Sequence, residues 1–388
     1  MLLLPLVAFG AEWGSAGRVT RVAGGRLDSL HQLASGRDML HLAHARIGSG
    51  QTDDRVVYQR SGKAGASWSG ERSLFSSTAR HRHLVPNLAL DAHDRIVAVA
   101  WRVRGPERTT LFVRVSRDGG TSFAERAAVF SSRHRDGVGV PAVAIGDDVI
   151  AVAWTDRADG RVKLRTSRDD GRSFRATRTL GRTALSIDCR KRVNDGLVGL
   201  AAADRRLHVA WSHASRRGCL ADSIRMRSSA DRGASWKGPR TITSRRSYGW
   251  PELAARGQVV LATVQAPNGR LIVARSGKGG RGWSDRVLRA GKGFSLSAGD
   301  VVLLPRRRAM ITYVQERVRR SRLIDTKIVS RWSPDAGRRF RAAKTVGSRT
   351  KRLRMAPNIA ADDGAVAIVY QSGALSGSPR NLWVTRLR

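Results

Sequence analysis

The 388-residue sequence predicts an all-β fold, a β-propeller of seven four-stranded blades, with six blades as the alternative. An eight-residue pattern that ends in Trp or Phe recurs six times, with starts 47 to 62 residues apart. Self-similarity at such a period is typical of repeat architectures. Each repeat also contains short β-rich runs separated by turn residues, which suits one four-stranded sheet per repeat. An unassigned alternating run near the start of the chain is available to complete the last sheet.

The recurring pattern predicts a turn in which each residue type has a structural reason. A short acceptor such as Asp hydrogen-bonds backbone N–H groups a few residues on and fixes the turn. Glycine supplies a positive φ that other residues resist, and the closing aromatic ring anchors the turn. Two weaker copies, 61–68 and 276–283, carry Lys63 and Lys278 in place of the Asp. The four good copies contain Ser116, Asp118, Gly120, Phe123, Ser167, Asp169, Gly171, Phe174, Ser229, Asp231, Gly233, Trp236, Ser333, Asp335, Gly337 and Phe340.

This pattern resembles the Asp-box, also called the BNR repeat, of the sialidase-like β-propeller superfamily, and the resemblance covers nearly the whole chain. It implies that the boxes are structural and lie on one face of the disc. It also implies an active site on the opposite face, near the central channel. Sialidases of this superfamily have six blades, but the sequence contains seven repeating units and none of them is dispensable.

The second unit shows the strands of one blade, here taken as 86–90, 95–101, 110–115 and 127–130. The second run is continuously apolar and is expected to be buried on both faces. The third alternates, as expected nearer the rim. An aromatic or histidine side chain closes the second run in several units, which favours packing between blades over ligand binding. These residues are His44, Trp101, Trp154, Trp211 and Tyr370.

The last unit begins at Pro357, ends with the run 381–387 and lacks a fourth strand. The alternating run 17–23 has no place in the first blade. We expect it to supply the missing strand, because the first and last segments then share one sheet and no exposed edge remains.

The N-terminus and the cysteines bear on localisation. Residues 1–11 are apolar and end in small residues, which resembles a secretory signal without its charged region. We therefore expect 12–388 to be a single propeller domain that is secreted, periplasmic or on the cell surface. The two cysteines permit a disulfide or two free thiols. Cys189 and Cys219 fall in two loops of one face of the fourth blade, which favours the disulfide and suits export.

The charge predicts polyanionic partners. Lys and Arg number 71 against 31 Asp and Glu, which gives a formal net charge of +40. A field this positive attracts polyanions, although basic residues spread through every repeat are also compatible with solvated blade edges. We expect a monomer without a transmembrane segment, without a specific nucleic-acid partner, and without a cofactor or metal.

The resemblance to sialidases implies an arginine cluster for a carboxylate, a Tyr–Glu pair as nucleophile and an Asp as acid/base. Tyr248 is the tyrosine outside the apparent strands, and Glu252 follows it closely. The catalytic candidates on the loop face are therefore Tyr248, Glu252, Asp195 and Asp136. The substrate-binding candidates are Arg82, Arg354, Trp250 and Arg133. The Phe/Tyr-Arg-Ile-Pro motif of the family does not occur.

Three functions stay open at this point. The first is binding of an acidic glycan or another polyanion on the loop face opposite the boxes. The second is glycoside hydrolysis of sialidase type, most simply by an exo-sialidase. The third is a scaffold for protein partners, which leaves no distinctive trace in a sequence because this fold hosts enzymes and plain binders alike.

Overall fold

The computed structural model describes residues 13–14, 16–19, 31–48, 53–62, 65–77, 83–134, 137–183, 197–215, 220–319, 322–346, 353–362, 365–373 and 381–387. Within these residues the chain forms seven four-stranded antiparallel sheets. The first strand of each sheet contacts the first strand of the next sheet, and the seventh contacts the first, so the sheets form a closed ring. The predicted seven-bladed β-propeller is confirmed.

Each blade runs outwards from the channel in chain order. The strands of blades 1 to 3 are β2 Gln32–Gly36, β3 Met39–Arg46, β4 Asp54–Ser61, β5 Arg72–Ser77, β6 His83–His93, β7 Ile96–Arg104, β8 Thr109–Ser116, β9 Ala127–Ser132, β10 Ala142–Gly146, β11 Val149–Asp156, β12 Arg161–Ser167 and β13 Arg178–Arg182. Those of blades 4 and 5 are β14 Val198–Ala203, β15 Arg206–His213, β16 Ser223–Ser229, β17 Arg240–Thr243, β18 Pro251–Arg256, β19 Val259–Ala266, β20 Arg270–Ser276 and β21 Ser284–Arg289. Those of blades 6 and 7 are β22 Phe294–Leu304, β23 Arg308–Arg319, β24 Arg322–Ser333, β25 Lys344–Val346, β26 Leu353–Asp362, β27 Ala365–Gly373, β28 Asn381–Arg386 and β1 Gly17–Arg18.

The core is divided among the seven junctions between neighbouring blades, each of which holds one hydrophobic cluster. The second strand of a blade is covered on both faces, and all eight residues of β11 are buried. The third strand alternates, as β8 does. Aromatic rings cross the junctions: Phe130 of blade 2 lies 5.1 Å from Trp154 of blade 3. The residues predicted for interblade packing, His44, Trp101, Trp154, Trp211 and Tyr370, are all buried.

The N-terminal segment closes the ring, as predicted. β1 is the fourth strand of blade 7 and pairs antiparallel with β28, so that Gly17 faces Val384 and Arg18 faces Trp383. Trp13 forms a bridge with Leu387, and its indole Nε1 donates to Ser330 Oγ of blade 6 at 2.8 Å. First and last segments of the chain therefore share one sheet, and the terminal blade gains an interblade contact.

The recurring turn joins the third and fourth strands of each blade. In five copies the serine Oγ accepts the N–H of the glycine four residues later at 2.8 to 2.9 Å. In the good copies the Asp adds a second brace, since Asp118 accepts the N–H of Ser122 at 2.8 Å and its hydroxyl at 2.5 Å. Burial opposes the charged carboxylate, but these hydrogen bonds outweigh it and lower the pKa of Asp118 to about 2.

The turn glycine meets two requirements at once. All six copies place it at a φ between 78° and 87°, where a side chain is strained. It also packs against the preceding blade. A Cβ on Gly120 would stand 1.7 Å from the Tyr58 hydroxyl oxygen of blade 1, and one on Gly337 would stand 2.6 Å from Leu261 of blade 5. The turns therefore set the spacing between blades as well as the bend within one.

Arginine side chains near the turns tie successive blades together by donating to backbone carbonyls of the next turn. Four junctions show this contact at 2.8 to 3.0 Å: Arg60 to Gly119, Arg117 to Asp170, Arg168 to Asp231, and Arg275 to Ala336. Part of the arginine excess is therefore structural.

We predict that Gly120→Ala lowers the free energy of unfolding by about 2 to 4 kcal/mol, because it adds overpacking to a strained φ. Gly119→Ala is the matched control: its φ is 66° and nothing lies within 4 Å of the added Cβ. The control should cost only about 1 to 2 kcal/mol. Urea unfolding of the two variants measures the difference, and equal losses would show that close approach to Tyr58 does not limit the turn.

Candidate functional site

The turns and the channel loops lie on opposite faces, as the resemblance implied. The connection between the first and second strands of a blade meets the turns directly: the N–H of Gly119 donates to Arg95 at 2.9 Å, and that of Gly279 to Gln258 at 2.8 Å. The remaining connections, from the second to the third strand and from blade to blade, therefore lie on the other face. We call these two sides the turn face and the loop face.

A central cavity of about 260 Å³ is lined by the first strands of all seven blades. One register position repeats around it, namely the residue paired with the position just before the interblade side chain of the second strand, which is aromatic or His in six blades and Val264 in blade 5. In blade order these residues are Gln32, Ala89, Ala142, Gly199, Glu252, Asp300 and Asn358. The ring is thus small or apolar in blades 2 to 4. It is polar or acidic in blades 5, 6, 7 and 1, which we call the polar half-ring.

Asp300 is fixed by the strands on either side of it. Its carboxylate accepts the N–H of Ile359 in blade 7 at 2.9 Å and the N–H of Val301 at 2.7 Å. The Asn358 side chain approaches the same group at 3.5 Å. Burial raises the pKa of Asp300, and these hydrogen bonds reduce the rise without cancelling it. Asp300 is therefore a rigid carboxylate that faces a confined cavity.

Glu252 is the second acid of the polar half-ring, one blade away from Asp300. Burial in the channel wall and the negative charge of Asp300 raise its pKa, and a hydrogen bond from the Trp250 indole lowers it only in part. Two neighbouring acids of this kind do not ionise together easily. The pair therefore offers a protonated carboxyl beside a carboxylate, an arrangement that can deliver a proton at neutral pH.

A third carboxylate of the cavity, Asp91, has a structural partner. It accepts the N–H of Ile145 in the next blade at 2.7 Å. Burial raises its pKa to about 6, although the backbone N–H groups of Ile145 and Ala92 stabilise the charged form. Asp91 thus braces blades 2 and 3, as Asp300 braces blades 6 and 7.

The loop face carries basic side chains in the connections around blade 5. Arg245, Arg246 and Arg270 line a depression of about 310 Å³ together with Ala266 and Pro267, in the connections around blade 5. Arg245 Nε pairs with Asp285 at 2.9 Å. The described residues that line the central cavity include no Arg, Lys or His. The depression also touches Ile272 and Val287 of the third and fourth strands, outwards from the acidic channel, and we call it the blade 5 rim.

The structure brings together two of the predicted site residues and separates a third. Trp250 and Glu252 both line the cavity and are hydrogen-bonded to each other. Tyr248 does not line it: its ring is 46% exposed, and its N–H donates to Gln265 at 2.9 Å. Arg133 is exposed in the connection between β9 and β10.

The other predicted site residues fall wholly or partly outside the described residues. Arg82, Asp136, Asp195, Cys189 and Cys219 lie outside the described residues. The backbone of Arg354 pairs with Ser372 in blade 7, and its side chain lies outside the description. Their proposed roles stay predictions.

The sequence reading missed Asp300, Asn358 and Gln32. A signal existed for Asn358, because it follows a proline at the start of its strand as Glu252 does. Asp300 lies behind a register shift after Ser297, so its place in the ring does not follow from counting along the strand.

The described residues meet the requirements of neither a metal site nor a membrane-spanning helix. Among the described residues, no three His, Cys, Asp or Glu side chains gather as metal ligands would. The same part of the chain contains no helix with the length and apolarity to span a bilayer.

We predict that Glu252→Gln removes part of a pH dependence of stability. A carboxyl with a raised pKa stabilises the folded state below its unfolded pKa, and this contribution is lost as pH rises through the folded pKa. The free energy of unfolding of Glu252→Gln, relative to that of wild type, should therefore rise by about 1 to 3 kcal/mol when the pH is raised from about 5 to about 8. Unfolding at both pH values measures this, with the exposed Glu107→Gln as control. A pH-independent difference would contradict the buried acid pair.

No protein-family model matches the sequence, and no curated protein matches it either. Solved structures do share the fold. A protein of unknown function from Dyadobacter fermentans superposes with a TM-score of 0.59 at 14% identity, over 98% of this chain and 100% of that one. A PL25 ulvan lyase bound to -[GlcA(1-4)Rha3S]- gives 0.56 at 10% identity, over 96% and 95%. The K499G mutant of the NanB sialidase from Streptococcus pneumoniae gives 0.53 at 10% identity, over 96% and 70%. At these identities the likeness establishes a shared propeller fold.

Proposed function

We propose that this protein is an exported propeller that binds an acidic glycan on the loop face, with the sugar chain lying across the mouth of the channel at blades 5 to 7. The observation that carries the proposal is that blade 5 combines a basic depression at Arg245, Arg246 and Arg270 on the loop face with Glu252 of the polar half-ring in the channel. The carboxylates and amides of the polar half-ring can accept hydrogen bonds from sugar hydroxyl groups or donate to them, which an apolar channel wall could not do.

The chemistry of the rim suits carboxylate or sulfate groups. A guanidinium donates two parallel, charge-assisted hydrogen bonds to a planar oxyanion, and Arg246 is exposed to do so. Tyr248 stands exposed on the same connection, where an aromatic face can cover the apolar face of a sugar ring. The net charge of +40 would speed the encounter with any polyanion.

The hydroxyl groups of a sugar suit the channel below. Glu252, Asp300 and Gln32 line the cavity with acceptors and an amide donor, and Asn358 approaches Asp300 from blade 7. The ulvan lyase, bound to a ligand of glucuronate and sulfated rhamnose, has the same fold. This likeness supports a glycan ligand as an analogy of fold.

We predict that replacing Arg245, Arg246 and Arg270 by Ala weakens binding of a labelled polysaccharide of glucuronate and sulfated rhamnose by at least about tenfold, or 1.4 kcal/mol. Fluorescence anisotropy at several salt concentrations measures this, because charge-driven binding weakens with salt. The matched control replaces Arg172, Arg175 and Arg178, three exposed arginines of blade 3. Equal losses in both variants, or binding that ignores salt, would overturn the rim assignment.

A second function, glycoside hydrolysis, is favoured by one specific observation: the Glu252–Asp300 pair. Glycosidases use two carboxyl groups, one of which stays protonated to act as general acid. In this proposal Glu252 donates the proton, and Asp300, held by N–H groups, stays charged and stabilises the cationic transition state. The exo-sialidase version adds Tyr248 as the nucleophile at the mouth.

We predict for the enzyme that Glu252→Gln lowers the release of a fluorescent alcohol from a sialoside or glucuronide by at least about 100-fold, since a positioned general acid contributes that much. Tyr248→Phe should abolish release only from the sialoside. Glu107→Gln is the control, and the unfolding midpoint confirms that each variant is folded. Binding of the glycan by wild type without any turnover would reject hydrolysis and leave the binding function in place.

A further inference from the structure

A second charged pocket lies on the turn face, between blades 4 and 5, away from the proposed glycan site. It has a volume of about 160 Å³. Among the described residues its lining has no carboxylate and five basic side chains: Arg206, Lys237, Arg240, Lys278 and Arg281. We call this the turn-face pocket. Water occupies about 30 Å³ per molecule in the liquid, so the space suits one tetrahedral anion with a few waters.

Lys278 holds the position that Asp occupies in the four good turns. In those turns the carboxylate accepts the N–H of the residue four positions on, as Asp231 does from Ser235 at 2.9 Å. The exchange therefore removes one negative charge from the rim of the pocket and adds one positive charge. The blade 5 turn keeps its bend: Gly280 retains its positive φ, and the Trp283 indole donates to Gly280 at 3.1 Å, as Trp236 does to Gly233. Its Ser276 hydroxyl donates to the Arg281 carbonyl at 2.5 Å. The fold does not need a lysine here.

The floor of the pocket consists of polar side chains held by hydrogen bonds. His208 is fully buried, and its Nδ1 lies 2.9 Å from the Ser228 hydroxyl, which also lines the pocket. In the described part of the chain its Nε2 is buried without a hydrogen-bond partner. Burial, aided by the charge of Arg206, lowers the pKa of His208 to about 4, so the ring is neutral at pH 7 and can donate from one nitrogen. A buried polar atom without a partner is costly, and a bound anion would supply one.

The pocket concentrates positive charge. Some arginines elsewhere pair with acids, as Arg46 does with Glu71 at 2.7 Å and Arg55 with Asp53 at 2.8 Å. At the turn-face pocket the nearby acid is Asp204, 3.5 Å from Arg206 and outside the lining. Five like charges around one cavity repel each other, and a multivalent anion relieves that repulsion.

We propose that the turn-face pocket binds a tetrahedral oxyanion, the phosphate or sulfate group of a small molecule or of a larger ester, between Lys278, Arg206, Lys237 and the Ser228–His208 pair. This site is independent of the glycan site, since it lies on the opposite face. A free anion and an esterified one share this chemistry, and the experiment separates them.

The test is calorimetric titration of the full chain with inorganic phosphate, inorganic sulfate and glucose 6-phosphate at low salt. Wild type should bind one anion per chain saturably. Tighter binding of the sugar ester than of the free ions would identify an esterified ligand, and the reverse order a free one. Absence of saturable binding for all three would overturn the proposal.

The decisive variant is Lys278→Asp, which restores the residue of the four good turns. It should lose at least about tenfold in anion affinity while its unfolding midpoint stays equal to that of wild type or rises. Arg172→Asp, the same change of charge at an exposed residue of the blade 3 turn, should lose little. Equal losses in the two variants would reduce the effect to overall charge and reject the site.

Two further measurements keep the outcome interpretable if Lys278→Asp perturbs the turn or if one of the two sites fails. Lys237→Gln changes an exposed side chain of the pocket and should weaken binding even if Lys278→Asp perturbs the turn. The Arg245, Arg246 and Arg270 variant should bind phosphate as wild type does, whereas Lys278→Asp should bind the labelled polysaccharide as wild type does. A failure of one site is thereby distinguished from a failure of the other.

Discussion

The fold depends on the approach of each turn glycine to the preceding blade. A β-propeller has no single core, because its apolar side chains are divided among seven junctions. Each junction therefore needs its own spacer. The glycine provides it by combining a left-handed φ with contact distances that leave no room for a Cβ. The serine hydroxyl fixes that glycine by accepting its N–H. The blade 5 copy keeps its bend with Lys278 in place of the Asp and with Ser276 bonded to Arg281 instead of the glycine, so the glycine is the part that every copy retains.

The same ring geometry creates the channel and its asymmetry. The seven first strands place one register position of each blade at the same height along the channel, so these seven residues form one ring. Small residues at Ala89, Ala142 and Gly199 keep half of the ring apolar, and a Cβ on Gly199 would stand 2.1 Å from the Pro251 carbonyl oxygen. The other half gathers Glu252 and Asp300. Burial raises the pKa of both acids, and the charge of Asp300 raises that of Glu252 further, which makes this half of the ring chemically distinct from a structural channel wall.

The charge of the protein is used in more than one way. Some arginines clasp the next blade through backbone carbonyls, and others pair with surface acids. Those at the blade 5 rim and in the turn-face pocket surround cavities. Net charge alone predicts affinity for polyanions but not where they bind, since the field is a sum over the whole surface. The two faces of blade 5 therefore suit different anions: an extended acidic chain on the loop face and a compact oxyanion on the turn face.

The sequence by itself determined the propeller, its seven blades, the closing strand and the turn face, because these follow from local patterns that repeat: a turn with a positive φ, a doubly buried second strand and a missing fourth strand. It also named Glu252 and Trp250. Only the tertiary structure decided that Glu252 faces Asp300, and that Tyr248 stands outside the cavity. Register shifts in β6, β22 and β26 displace the first strands relative to a simple count. The partners of a channel residue come from other blades, roughly fifty residues away, and no pattern within one repeat records which blades become neighbours across the ring.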